Sequence, residues 1–365
     1  VGVGPGALEA VVLTRPDPAF WAGKRVLLTG HTGFKGGWTA IWLAAMGAKV
    51  TGLALAPDQD PALFDLAGVG GLVDSRIADL RDATDVAQTL MAAEFDLVLH
   101  MAAQPIVRTA IADPVATFAA NIMGTAHLLQ ALRDRPGLAA VLVVTSDKVY
   151  ANAETGRPFT EGDSLGGKDP YSASKAATEI VTASMARSYF DRAGVPVATA
   201  RGGNVIGGGD FSRDRIVADI VRAAAADEAV VLRHPEATRP WQHVVDCAAG
   251  YLVFLERLAK DPASPRALNF GPAPGGAEVT VGELASRATA ALGGRPWRHE
   301  PDPASLEARA LGIDAGLTRK VLGFESRLAA PEAIDWSMEW YRRQAAGEPA
   351  LALCREQIAR YEALP

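Results

Sequence analysis

Along the first two hundred residues, short apolar runs alternate with longer stretches whose apolar positions recur at helical spacing. Arg25-Val26-Leu27-Leu28-Thr29 is apolar, too short for a helix, and closed by Gly30, so it predicts a strand. Residues 38–46 follow with a helical pattern that Gly47 ends. Further runs at 49–55, 72–77, 95–99, 139–144 and 195–200 predict strands, and 83–93, 116–133 and 172–192 predict helices. This alternation predicts an α/β fold: a Rossmann-type doubly wound parallel sheet, covered on both faces. After Arg201 the alternation breaks up and proline and glycine become frequent, which predicts a smaller mixed C-terminal substrate-binding lobe. The expected division is a leader or loosely ordered extension at 1–17, a sheet domain at 18–205 with a return segment near 241–272, and the lobe at 206–240 and 273–365.

Composition narrows the class. With 49% hydrophobic and 21% charged residues the chain reads as an ordinary globular protein. A net charge of −6 without long basic runs gives no footprint for nucleic acid. An anionic ligand must then be held by local donors. Only two cysteines, Cys247 and Cys354, are present; they make neither a disulfide framework nor, alone, a structural zinc site, so no metal and a reducing cytoplasmic setting are expected. No apolar run approaches the roughly 20 residues of a membrane span, so no membrane partner is expected. The first residues carry Pro5, Glu9 and Arg15 and lack a basic region before an apolar stretch, unlike a signal peptide.

The turn after the first strand reads Gly30-His31-Thr32-Gly33-Phe34-Lys35-Gly36. Its glycines allow a tight bend and a close backbone approach to a pyrophosphate at a helix N-terminus, although the spacing is Gly-x-x-Gly-x-x-Gly. A generic glycine-rich turn is the bland alternative. The acid that would hold an adenosine ribose at the end of the second strand is missing: Leu53-Ala54-Leu55-Ala56-Pro57 precede Asp58, and no arginine replaces it. Asp79-Leu80, after the third strand, face either the adenine or solvent.

Tyr171 and Lys175 lie four apart at the start of a predicted helix, hence on one face. An adjacent ammonium favours the phenolate, and such a pair can remove a hydroxyl proton while hydride leaves the same carbon. Thr145-Ser146-Asp147-Lys148 follows the fifth strand, where an open α/β sheet places its ligand crevice. Ser146 can hydrogen-bond a substrate hydroxyl, Asp147 can protonate a leaving group if its pKa is raised, and Lys148 can remove a proton if burial beside Lys175 lowers its own. The alternative for these four is a polar strand-end loop. A third cluster holds Asn204, Arg233 and Arg239 in glycine-rich surroundings that suit a diphosphate, with Trp241 and His243 able to stack or hydrogen-bond beside it; surface arginines, a core aromatic and a core histidine are the alternatives.

Taken together, Gly30-His31-Thr32-Gly33-Phe34-Lys35-Gly36, His100-Met101-Ala102-Ala103-Gln104-Pro105, Thr145-Ser146-Asp147-Lys148, Asp169-Pro170-Tyr171-Ser172-Ala173-Ser174-Lys175, Gly203-Asn204-Val205-Ile206-Gly207-Gly208-Gly209-Asp210 and Arg239-Pro240-Trp241-Gln242-His243 resemble the CDP-glucose 4,6-dehydratase family of extended short-chain dehydrogenases/reductases. The resemblance runs from about Pro18 almost to the C-terminus. It implies NAD as cofactor, with Gly30, Gly33, Phe34, Lys35, Gly36, Asp79, Leu80, Ala102, Ala103, Tyr171 and Lys175 around it. It implies CDP-glucose as the nucleotide-sugar substrate, held by Gln104, Arg108, Asn204, Arg233, Arg239 and His243. Ser146, Asp147, Lys148, Tyr171 and Lys175 would be catalytic. The family resemblance also implies a homodimer or a tetramer of such units, as do helices 116–133 and 172–192, apolar on more than one face. The chain departs from the family at Ala153-Glu154-Thr155-Gly156-Arg157-Pro158-Phe159, at Phe211 and at Leu306-Glu307-Ala308. A 4-epimerase on the same scaffold is the nearest rival, but needs no acid and base at C6 and C5. A non-catalytic nucleotide-binding protein is the other, and the intact Tyr171, Lys175, Asp147 and Lys148 argue against it.

Overall fold

A computed structural model describes residues 15–276, 278–302 and 311–365. The departure at residues 306–308 and most of the expected leader, residues 1–14, lie outside the described residues. Asp17 caps a short helix and its own N–H donates to the buried Glu256 at 2.8 Å, so residues 15–17 join the folded body.

Seven parallel strands form the central sheet: β1 (Arg25–Thr29), β2 (Lys49–Ala54), β3 (Asp74–Ile77), β4 (Leu97–His100), β5 (Ala140–Ser146), β6 (Val197–Gly202) and β7 (Ala267–Phe270). Their order is β7-β6-β5-β4-β1-β2-β3. The chain runs outward to one edge, then returns past β1 to the other, leaving a crevice at the strand C-termini where the order reverses. Strands β4, β5 and β6 are buried on both faces, which is why they read as continuous apolar runs. β3 is an edge strand, and its Asp74, Ser75 and Arg76 suit that place.

Two apolar layers cover the sheet, divided by the two-residue period of the strands. Leu27, Val98, Val141 and Val143 pack with α2 (Ala83–Met91) and α3 (Pro114–Leu132). Leu28, Leu99 and Leu142 pack with α1 (Phe34–Ala45) and the long buried helix Val244–Lys260 of the return segment. α3 has the length and hydropathy of a membrane span, at 19 residues and 1.2, a run that the sequence patterning did not flag. It packs on α2 and on α4 (Pro170–Met185) while leaving Val115 and Met123 exposed. Asp169 caps α4 through the Ser172 N–H, and Pro170 opens it.

The lobe closes over the far end. Val205–Ile206 pairs in parallel with Gln242–His243, tying Asn204 to the return segment. Trp38 Nε1 donates to the Gly208 carbonyl, the Trp340 ring packs on the Gly208 backbone, and the Tyr341 hydroxyl donates to the Asp210 carbonyl at 2.6 Å. The glycine-rich loop is thereby clamped between α1 and the helix Ala330–Ala345.

Candidate active site

The turn after β1 is built to receive an anion. Gly30 has φ +80°, and a Cβ there would stand 2.8 Å from the Ala102 nitrogen; one at Gly36 would stand 1.9 Å from the Gly30 carbonyl oxygen. Gly33 caps α1 without a side-chain acceptor, so the first N–H groups of α1, at Phe34, Lys35 and Gly36, face the crevice unsatisfied by any capping side chain. The cradle thus fits the pyrophosphate of a dinucleotide. His31 turns away, its Nε2 2.7 Å from Ser75 Oγ, and burial pushes its pKa down to about 4. At the end of β2 the Thr32 hydroxyl donates to the Leu55 carbonyl at 2.8 Å, so no carboxylate stands where the ribose acid was sought. Asp79 is held by Arg81, whose hydrogen bonds lower its pKa, and keeps a partly exposed carboxylate. Leu80 differs from expectation: its side chain is in the core and its carbonyl lies 2.9 Å from His127 Nδ1.

A buried polar chain supports the opposite wall. Thr29 Oγ1 accepts from the N–H groups of Met101 and Ala102 at 3.1 and 3.0 Å, so its own hydrogen is free for His100 Nδ1 at 2.6 Å. Thr125 donates to the Asn121 carbonyl at 2.7 Å, so it accepts from His100 Nε2 at 2.9 Å. His100 is therefore neutral with its proton on Nε2, in line with a pKa pushed down to about 3 chiefly by burial. Asn121 sits in a π-helical turn, 119–123, within α3. Its amide donates to Ser174 Oγ at 2.8 Å and to the Gln104 carbonyl at 3.1 Å, and accepts from the Gln104 N–H. It clasps the 102–104 loop, with Ala102 and Ala103 at the crevice edge, to the helix of Tyr171. Sequence reading missed Asn121, and only the interruption of helical spacing could have signalled it. The Gln104 side chain bonds Thr117 and the Ile106 N–H, which makes it a loop anchor and not a ligand donor.

At the C-terminus of β5 the Ser146 hydroxyl donates to Asp147 Oδ1 at 2.9 Å, and the Lys148 N–H donates to Ser146 Oγ at 3.2 Å. Asp147 is buried with Oδ2 unpartnered, and Lys148 Nζ stands 3.8 Å from Oδ1. Lys148 differs from the buried amine expected: its side chain is 27% exposed, open to the crevice. Tyr171 is buried beside this turn; burial pushes its pKa up, against Arg215 and a hydrogen bond shared with Ser146. Arg215, also missed, reaches across the mouth to the Pro105 carbonyl. Lys175 Nζ donates to the Val144 carbonyl at 3.2 Å, and burial, then Lys35, push its pKa down to about 7 while Glu179 opposes them. The expected lowering of the tyrosine by the lysine is thus outweighed by burial of both.

The remaining predicted ligands divide. Asn204 has a buried, unpartnered Oδ1. Arg233 and Arg239 are half-buried in the lobe, and Arg239 Nη1 donates to the Thr238 carbonyl at 2.7 Å. Arg108 pairs at the surface with Asp214, whose φ of +60° is strained. His243 is overturned as a ligand: it is fully buried between Trp38 and Trp336, its Nδ1 accepts from the Val245 N–H, and burial pushes its pKa to about 3.

The family model described as "NAD dependent epimerase/dehydratase family" matches residues 26–271, from β1 to the end of β7. The chain belongs to this family. NAD is therefore its cofactor. Among relatives, a CDP-glucose 4,6-dehydratase of Salmonella typhimurium is 37% identical over 351 residues, covering 94% of this chain and 98% of that one. A dTDP-glucose 4,6-dehydratase of Xanthomonas campestris is 29% identical, covering 86% and 92%. The solved UDP-glucose 4-epimerase of Thermus thermophilus, in complex with NAD, superposes with a TM-score of 0.74 at 25% identity, covering 87% of this chain and 99% of that one.

Proposed function

We propose that the protein converts CDP-glucose to CDP-4-keto-6-deoxyglucose with loss of one water. The observation that carries this reading is the Ser146-Asp147-Lys148 turn: a buried carboxyl with one oxygen unpartnered, 3.8 Å from a half-exposed amine, beside Tyr171. A 4-epimerase has no use for that pair. The similarity to the Salmonella dehydratase over nearly the full length of both chains supports the same substrate.

NAD, when bound, accepts hydride from C4 and returns it at C6. Tyr171 takes the proton of the sugar O4, with Lys175 beneath it and Ser146 orienting the hydroxyl. The 4-keto group acidifies C5, and the Lys148 amine removes that proton. Asp147, whose Oδ2 has no partner, protonates O6, which leaves as water. Gly30, Gly33 and Gly36, with the N–H groups of Phe34 and Lys35, would hold the cofactor pyrophosphate, and Asp79 would serve its adenosine end. Asn204, Arg233 and Arg239 hold the substrate diphosphate.

Purified protein incubated with NAD and CDP-glucose in deuterated water should give a product that has lost one water and carries solvent deuterium. An isomer of unchanged mass would overturn the dehydratase in favour of epimerisation.

The assembly favoured by the surface is a homodimer through α3 and α4. Val115, Met123, Ile180 and Tyr189 on these helices and their continuation are exposed, Val115 at 74%. A pair of such helices from each subunit would bury them as a four-helix bundle. Light scattering at micromolar concentration should give twice the 38.2 kDa chain mass, and a monomer would refute the dimer. Buried free Cys247 and Cys354 support a reducing, cytoplasmic setting.

A further inference from the structure

Behind the crevice, the buried carboxylate of Glu179 joins parts of the site that are distant in sequence. It lies one helical turn after Lys175 on α4. Oε1 accepts from the Thr145 hydroxyl, next to Ser146; Oε2 accepts from Thr199 at 2.8 Å and from Arg201 Nη2 at 2.7 Å. Arg201 passes the connection on, donating from Nη1 to the Tyr150 hydroxyl at 2.9 Å, which donates to Asn269 at 2.6 Å. Both ends of the ion pair are almost wholly dry, at 6% and 4% exposure. A buried pair of this kind is weak support for stability, because apolar residues of similar volume would serve as well. Its geometry has a different use.

We propose that Glu179 is a positioning residue of the catalytic centre: its bonds to Thr145 and Arg201 fix the Ser146–Lys148 turn against the helix that carries Tyr171, and its carboxylate is the counter-charge to the Lys175 ammonium. The groups acting on Lys175 are few. Lys35 from α1 repels its proton, His100 from β4 is neutral, Tyr171 lies one turn earlier on α4, and Glu179 supplies the opposing negative charge. Arg201 pairs with Glu179 on the side away from Thr145, through Oε2. The role of Lys175 rests on the function proposed above, but its titration does not need the substrate.

The test uses full-length protein labelled with ¹³C at lysine Cε, the Lys175 signal being identified by its loss in Lys175→Met. In Glu179→Gln the titration midpoint of Lys175 should fall by about one pH unit. Because this change strands Arg201, the paired variant Glu179→Gln/Arg201→Met is read alongside; it should recover the melting temperature yet keep the lowered midpoint. Thr145→Val, which removes the tether and leaves the charge, should lower kcat about ten- to hundred-fold with the midpoint unmoved. An unchanged Lys175 midpoint in a folded paired variant, or wild-type kcat in Thr145→Val, would reduce Glu179 to a core strut. If CDP-glucose is not turned over, the titration still decides the electrostatic half, so the two readings fail separately.

Discussion

Lys148→Met should arrest the reaction after oxidation: the reduced nicotinamide absorbance should appear and persist, while release of water falls about 10²–10⁴-fold. Lys148 places an amine 3.8 Å from the buried Asp147, and its backbone stays fixed by Ser146 whatever side chain it carries. Removing the amine takes away the base for C5 and leaves Tyr171, Lys175 and the cofactor turn untouched. Solvent deuterium at C5 should disappear together with the dehydrated product. Deuterium exchange persisting in Lys148→Met would show that another group removes the C5 proton. The variant should melt within a degree or two of the parent, because the side chain is half-exposed and pairs only across 3.8 Å.

Lys175→Met should abolish turnover and yet raise the melting temperature of the cofactor-free protein. Burial holds the folded Lys175 near 7, against 10.5 for the free amine. Between those values the unfolded chain carries a proton that the folded one lacks, so unfolding takes up a proton and this lysine's contribution to stability rises with pH. Below about pH 7 the penalty is complete; above about pH 10.5 it is gone. A tenfold change in proton affinity is worth about 1.4 kcal/mol, which puts the gain from Met on the order of 3–5 kcal/mol at pH 6. Loss of the bond to the Val144 carbonyl offsets about 1 kcal/mol of that. Melting curves of parent and variant should differ most at pH 6 and converge by pH 10. A difference independent of pH would mean that folding leaves the proton affinity of Lys175 where it stands in the unfolded chain.

The strand at 25–29 and the glycine turn after it were legible because their signals are local: an apolar run, a breaker, a helix start. Tyr171 and Lys175 were legible for the same reason, being one helical turn apart. The helices expected at 116–133 and 172–192 were legible nearly to their ends, but not the π-helical turns at 119–123 and 186–190 that lie within those spans. Glu179, Arg201 and Asn121 were not legible as site residues. Thr145 meets Arg201 only through the parallel register of β5 with β6, and Asn121 meets Ser174 only because α3 and α4 pack. His243 misled the reading for the converse reason. A polar residue in a motif otherwise lined with ligands looks like one of them, until packing places it between two tryptophans.

The clamp on the Gly208–Asp210 loop bears on how the enzyme comes into being on the ribosome. β1 to β6 and the catalytic turn are translated within the first 202 residues, and the sheet can begin to pair as they emerge. The loop that faces them is held from behind by Trp340 and Tyr341, which are synthesised some 130 residues later. Until that helix leaves the exit tunnel, a nascent chain would own a cofactor cradle without a finished substrate wall. Activity therefore arrives late and all at once, and truncations that spare every catalytic side chain should still yield inert protein.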